Sequence, residues 1–396
     1  MRIAYVHYLD EGDTALNHVR QFTEAARTLG HEVTVHAMNL APPAEARAQG
    51  RGWMQARRAL QRRLGRWLHE PKELAWNVRY VQKQAALLAR TPADVLLVRD
   101  DALNASCVPV ARRLGLPLVL EVNAPAAELE LYRDDHWHVP WVGPRMEGWK
   151  LRRAQMVTVV SSALRDHLTA RHGLAPEHFV VVPNGADVQR FRPETPRDPA
   201  LPAGGPVVGF VGSFDRWHGT ELLARMMVEV GRRRPDVRFV LVGDGPGLPE
   251  VRAAVAPLDG RVLLTGKVPH DRVPGLVAAF DAGVAPDSGF YMSPLKVLEW
   301  MAAGTAVIAP AHGPLREVID DGVHGLLFEP GSFEGLVGAV LRVVDDPALR
   351  RSLGAAAAAR ARGSLTWEDN ARRVLGACAR ARAMLDTSAA AAEECR

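Results

Sequence analysis

The chain has 396 residues, of which 47% are hydrophobic and 24% charged, a composition that excludes extended disorder and suits two or three domains. Its formal net charge of +4 is too weak over this length to point to nucleic acid. No apolar run approaches the ~20 residues of a membrane span, and the three scattered cysteines (Cys107, Cys378, Cys395) exclude a disulfide framework and a zinc cage. The first residues, MRIAYVHYLDEGD, carry no cleavable signal, so a cytoplasmic protein is expected.

Short apolar runs alternate with helical patterns along the whole chain. The predicted strands of the first half are RIAYVHY from Arg2, EVTVHA from Glu32, DVLLVR from Asp94, PLVLEV from Pro117, MVTVV from Met156 and FVVVP from Phe179. Those of the second half are VVGFVG from Val207, RFVLVG from Arg238, VLLTG from Val262, AGVAP from Ala282, AVIAP from Ala306 and GLLFEP from Gly325. Apolar residues fill consecutive positions in these runs, which predicts strands buried on both faces, hence parallel sheets covered by helices. Six strands and six more make two doubly wound α/β domains. The Pro- and Gly-rich stretch 191–206 is the expected linker between domains 1–190 and 207–368. Residues 369–396 read as a C-terminal helix that decays into an Ala-rich tail. A cleft between the carboxyl ends of the two sets of strands is the expected binding site.

In the first half, Arg51–Leu68 places Trp53, Leu60, Leu64 and Trp67 at helical spacing among Arg57, Arg58, Arg62, Arg63 and Arg66. Such a helix either packs its apolar stripe on the domain or lies on an anionic membrane. His136-Trp137-His138 beside Asp134 and Asp135 reads as an acceptor-contacting loop, with a metal site as the alternative.

The second half carries the strongest chemical signal. In FYMSPLKVLEWMAAG, from Phe290 to Gly304, Ser293 and Pro294 suit the N-cap and first helical position, and Gly304 suits the stop. Only five lysines occur in the chain, and Lys296 stands in the first turn of this helix. Free N–H groups, the positive helix end and an ammonium together favour a phosphate. Glu299, three positions on, can accept hydrogen bonds from ribose hydroxyls. The alternative is an intrahelical Lys296–Glu299 ion pair on a surface helix. GSFDRWHG, from Gly212 to Gly219, brings Arg216 and His218 to a second helix start, or is an ordinary turn with a packed Trp217. Glycine turns at Gly243-Asp244-Gly245-Pro246 and Gly266-Lys267-Val268-Pro269 end two further strands.

Taken in order, PNGAD (Pro183–Asp187), GSF..WHG, LVGDGP (Leu241–Pro246), TGKVPH (Thr265–His270), SPLKVLEWMAAGTAVIA (Ser293–Ala309) and GLLFEPG (Gly325–Gly331) resemble glycosyltransferase family 4, in its SPLK variant. The resemblance implies a GT-B fold, two Rossmann-like domains facing each other across a cleft. It implies a retaining transfer from a nucleotide-sugar, UDP-sugar favoured, with no metal and no cofactor. The partners it implies are the donor and a hydroxyl acceptor, either a small natural product such as an aminocyclitol or a lipid or glycan. A membrane partner would be peripheral, through 51–68. As catalytic residues it implies Lys296, Asn123 and Gly12. For the donor it implies Ser213, Arg216, His218, Gly243, Val268, Tyr291, Met292, Ser293, Pro294, Leu295 and Glu299, with Glu299 on the ribose and the Val268 backbone at the base.

The chain departs from the family pattern in three places. Tyr291 stands where the first of the paired acids is usual, eight positions before Glu299. Ser213 and His218 replace the usual Arg and Lys, so Lys296 and Arg216 or His218 are left to meet the diphosphate. Asn123 follows the fourth strand where a histidine is frequent, and Glu121 beside it reads as structural. A nucleotide-sugar epimerase of the same fold, or a nucleotide-binding homologue without turnover, are the alternative readings that these departures leave open.

Overall fold

The computed structural model describes residues 1–9, 15–38, 71–72, 74–128, 141–199, 201, 204–258 and 260–394. Gly12, the helix read at Arg51–Leu68, the His136–His138 run and Cys395 lie outside the described residues, as does the side chain of Arg216. All twelve predicted strands form: β1 Arg2–His7, β2 Glu32–Ala37, β3 Val95–Arg99, β4 Leu118–Val122, β5 Met156–Val159, β6 Phe179–Val181, β7 Val207–Val211, β8 Arg238–Val242, β9 Val262–Gly266, β10 Ala282–Val284, β11 Ala306–Pro310 and β12 Leu326–Phe328. They make two six-stranded sheets, ordered β2-β1-β3-β4-β5-β6 and β12-β11-β10-β7-β8-β9. Every strand pair is parallel. The apolar runs account for this: β4 and β11 are buried at every position, as strands with helices on both faces must be.

By its internal contacts the chain divides into one unit of 1–182 and 371–396 and another of 183–370. The stretch 191–206, expected as a linker, belongs to the second unit. There the Asp198 N–H donates to the Gly275 carbonyl, and the Asp198 carboxylate pairs with Arg272 at 2.9 Å. The tail does not decay where expected. One helix runs over Trp367–Glu394, and its Ala371, Val374, Leu375, Cys378 and Ala381 pack with Ile3, Tyr5, Val19 and Phe22 of the first unit.

In the second unit two glycines set the position of the helix Leu295–Ala303. Gly209 of β7 and Gly283 of β10 are register partners in the middle of the sheet. A Cβ on Gly209 would lie 2.2 Å from the Phe280 ring, and one on Gly283 would lie 2.6 Å from the Trp300 indole. Both missing side chains are therefore replaced by aromatic rings. Trp300 is fully buried, so the helix that carries it is keyed to β10. Gly304 then ends the helix at φ 76°, in the left-handed region. Gly283→Ala is expected to overpack this contact and destabilise the second unit by about 1–3 kcal/mol. Urea unfolding measures it, and a wild-type midpoint would contradict the keyed packing.

Candidate functional site

The second sheet reverses its winding between β7 and β10: the chain proceeds outward to β8 and β9 on one side, and to β11 and β12 on the other. Loops leaving the carboxyl ends of these two strands part from each other and leave a crevice, the usual ligand position in open α/β sheets. The loops after β7 and β8 touch backbone to backbone. A Cβ on Gly243, which stands at φ 129°, would lie 2.0 Å from the Gly212 carbonyl oxygen. The Phe214 N–H donates to the Asp244 carbonyl at 3.1 Å. Gly243 is therefore a spacer that lets the two loops close at this end of the sheet.

Lys296 reaches into the same place. Its Nζ lies 4.6 Å from the centre of the Phe210 ring and 3.1 Å from His218 Nδ1. A Cβ on Gly212 would come within 2.9 Å of that Nζ. The intrahelical pair with Glu299 does not form: no carboxylate lies within ion-pair distance of Lys296 among the described residues. Burial lowers the Lys296 ammonium to about 7, with the Asp215 charge acting the other way. Burial, and then Lys296 itself, lower His218 to about 3, so its imidazole is neutral and offers a lone pair to the ammonium. The site thus holds a desolvated cation carried by the first turn of a helix that no side chain caps.

Glu299 occupies the same helix one turn on. Burial, and then the nearby Asp187 charge, raise its carboxyl to about 8, while Arg190 opposes them. Arg190 in turn donates to the His270 carbonyl at 2.9 Å and contacts His270 Nδ1 at 2.8 Å, tying this corner to the loop that carries Val268.

Other expected residues are placed differently. Ser293 is not the N-cap. Pro294 takes that position at ψ 115°, the helix begins at Leu295, and no side chain caps it. The Ser293 hydroxyl accepts from the Asn184 N–H instead, so no side chain covers the first-turn N–H groups, of which only that of Val297 is seen to be taken, by the Pro294 carbonyl at 3.1 Å. Tyr291 is 1% exposed and packs edge-on against Phe290. Its side chain is among the largest fully buried ones of the chain's described residues. Met292 Sδ accepts from the Gly289 N–H at 3.3 Å, bracing the same loop. Ser213 is exposed, and Trp217 lies 6.0 Å from His218, centre to centre. Asp287, after β10, pairs with His312 at 3.2 Å, a contact with no local spacing to announce it.

In the first unit, Asn123 stands at the carboxyl end of β4 and is committed to a buried polar cluster. Its Nδ2 donates to Glu121 Oε1 at 2.7 Å. Glu121 also accepts from Tyr5 Oη and Arg99 Nη1, each at 2.6 Å. Glu121 thus joins three strands' side chains and also holds the Asn123 amide, so it can act both in the core and behind Asn123. Among the described residues no three His, Cys, Asp or Glu side chains group to hold a metal ion. No described helix is long and apolar enough to cross a membrane.

Family models described as "Glycosyltransferase Family 4" and "Glycosyl transferases group 1" match residues 15–190 and 205–346. The 2-deoxystreptamine glucosyltransferase of Streptomyces kanamyceticus is 32% identical over 292 residues, which cover 69% of this chain and 74% of that one. The 2-deoxystreptamine N-acetyl-D-glucosaminyltransferase of Streptomyces fradiae is 34% identical over 63% of this chain and 61% of its own. Among solved structures, sucrose-phosphate synthase from Thermosynechococcus elongatus superposes with a TM-score of 0.71 at 22% identity, over 94% of this chain and 97% of that one. Anabaena HepE, solved with UDP and glucose, gives a TM-score of 0.70 at 18% identity, over 95% and 98%.

The two shifted groups act on stability with opposite signs. Glu299 holds its proton to about pH 8 in the folded chain against an ordinary 4.5. Between those values only the folded state keeps the proton, so the group disfavours folding increasingly as pH rises through the interval. Glu299→Gln is expected to raise the melting temperature near pH 8.5 and to leave it almost unchanged near pH 5. Lys296 titrates at about 7 when folded and at an ordinary 10.5 when unfolded. Its penalty is complete below 7 and is relieved as pH climbs from 7 to 10.5. Lys296→Met is expected to stabilise the ligand-free chain more near pH 6 than near pH 9.5. Thermal melts across pH check both; profiles that run parallel to wild type would contradict the burial of these charges.

Proposed function

The chain belongs to the family 4 glycosyltransferases, and on that premise we propose that it moves a sugar, with retention at the anomeric carbon, from a nucleotide-sugar held by the second unit to a hydroxyl of a small cyclitol-like acceptor. That it is a glycosyltransferase of GT-B fold follows from the relatives and the two parallel sheets. The single observation that carries the donor side is the Lys296 ammonium, half-buried, without a carboxylate at ion-pair distance among the described residues, and at the first turn of a helix at the β7–β10 reversal.

In the proposed reaction the bond from the anomeric carbon to the diphosphate breaks, and a bond to the acceptor oxygen forms on the same face. The departing phosphate oxygen takes the acceptor proton. Negative charge grows on the diphosphate, and groups already oriented toward it lower the barrier. Here those groups are Lys296 and the uncapped N–H groups of the helix Leu295–Ala303, so the step as written asks for no metal ion. The neutral Glu299 accepts from the ribose hydroxyls and can also donate. Asn123 offers its carbonyl oxygen to a sugar hydroxyl.

A UDP-sugar is favoured as donor, a choice supported by the UDP and glucose bound to HepE. Two relatives named for 2-deoxystreptamine support a cyclic amino-polyol acceptor over a lipid.

The donor assignment predicts thermal stabilisation by one of UDP, GDP, ADP or dTDP, with UDP expected. At about 100 times its dissociation constant the ligand should add ~2.7 kcal/mol, and Lys296→Ala should lose most of it. No response from any of the four would contradict the assignment. With UDP-glucose or UDP-N-acetylglucosamine and 2-deoxystreptamine, the product is expected to be the α-anomer by proton NMR, at a rate unchanged by EDTA. A β-linked product would contradict retention, and loss of rate in EDTA would contradict metal independence.

A further inference from the structure

The segment Pro183-Asn184-Gly185-Ala186-Asp187 opens the second unit, and apart from the Asp187 charge near Glu299 it takes no part in the chemistry above. The hydrogen bonds of its Asn184 converge on one residue of the donor site. The Asn184 N–H donates to Ser293 Oγ at 3.0 Å, and Asn184 Nδ2 donates to the Ser293 carbonyl at 2.7 Å. Both polar atoms that Ser293 presents as acceptors are thereby held by a residue 109 positions away. Pro294 follows with its fixed φ, and the helix begins at Leu295. The direction in which that helix starts is therefore set by Asn184 and not by a local cap.

Asn184 is itself anchored on both sides. The Ala186 N–H donates to the Leu365 carbonyl at 2.7 Å, and Asn370 Nδ2 donates to the Pro183 carbonyl at 2.7 Å. Between them a Cβ on Gly185 would lie 2.4 Å from the Trp367 main-chain nitrogen, so only glycine permits this closeness. The orientation of the Asn184 amide is unambiguous, because the Ser293 carbonyl can only accept and must face Nδ2. Asn184 Oδ1 is consequently buried with no hydrogen-bond partner. Buried polar atoms are rarely left so, and the arrangement keeps the contact to Ser293 at the expense of that oxygen.

We propose that Asn184 is a positioning residue for the donor diphosphate: it holds the Ser293-Pro294 entry so that the uncapped N–H groups of Leu295 and Lys296 and the Lys296 Nζ converge on one point. This rests on the nucleotide reading of the site. The helix body is held separately, with Val297, Leu298, Trp300 and Met301 buried in the core. Removing the Asn184 side chain therefore loosens only the entry at residues 293–296 ahead of these buried residues, and a small displacement there is enough to spoil phosphate contacts.

The test compares a nucleoside diphosphate with its nucleoside: UDP with uridine, or the GDP, ADP or dTDP pair should one of those be the nucleotide that stabilises wild type. Dissociation constants are measured by calorimetry for wild type, Asn184→Ala, Ser293→Ala, the double variant and Lys296→Ala. Asn184→Ala is expected to weaken the diphosphate about tenfold or more while leaving the nucleoside within about twofold. The double variant should bind the diphosphate more weakly than either single variant, since Asn184→Ala removes the Nδ2 bond to the Ser293 carbonyl and Ser293→Ala removes the acceptor of the Asn184 N–H, two separate bonds that hold one entry. A merely structural asparagine would lower the melting temperature and weaken both ligands alike, and that result overturns the proposal. If Lys296→Ala reduces the preference for diphosphate and Asn184→Ala does not, the positioning role falls and the site assignment stands. If Lys296→Ala leaves the preference untouched, or wild type binds none of the four, the site assignment falls and takes this role with it.

Discussion

An ammonium group with no carboxylate at ion-pair distance among the described residues, held over an aromatic ring near the centre of an α/β sheet, is the constraint around which the second unit is organised. Removing such a charge from water is costly unless something compensates. The Phe210 face and the neutral His218 lone pair offset part of that cost. The remainder is a standing demand for an anion. Gly212 leaves the space for Nζ, Gly283 accepts Trp300 so that the helix is seated at the right height, and Gly304 ends it. Each of these features has a packing explanation by itself, and together they fix where one positive charge stands.

Glu299 complements this from the opposite sign. Burial and Asp187 keep its carboxyl protonated near neutrality. It therefore adds little negative charge a turn away from the point where a diphosphate would sit. Had Lys296 and Glu299 formed the intrahelical pair that their spacing allows, the cation would be neutralised and the acid ionised. The fold separates them by giving each its own surroundings, Phe210 and His218 for one and Asp187 and Arg190 for the other.

The strands were legible because runs such as LVLEV and AVIAP are apolar at consecutive positions, a pattern that a strand buried on both faces requires. The helix end at Gly304 was legible for a similarly local reason. Ser293 was misread as an N-cap because a serine before a proline satisfies the local rule, while its true partner, Asn184, comes 109 residues earlier in the chain. Tyr291 stands at the family's first acidic position, yet its ring belongs to the core, a preference that motif spacing does not register. The cation–ring contact of Lys296 with Phe210 and the Asp287–His312 pair join separate loops, and they become visible only once the sheet brings those loops together. In the first unit the fate of Asn123 depends on Glu121, which sequence context marks as structural but whose partners Tyr5 and Arg99 come from two other strands.

The central claim is that the β7–β10 reversal, with Lys296 at its mouth, is the diphosphate site of a sugar transferase. The most direct measurement is a crystal structure of the chain with UDP bound. The account predicts the β-phosphate within hydrogen-bond distance of Lys296 Nζ and of the main-chain N–H groups at the start of the helix Leu295–Ala303, with the ribose hydroxyls on Glu299. A diphosphate seated elsewhere, with Lys296 still over the Phe210 ring and free of phosphate, would contradict it.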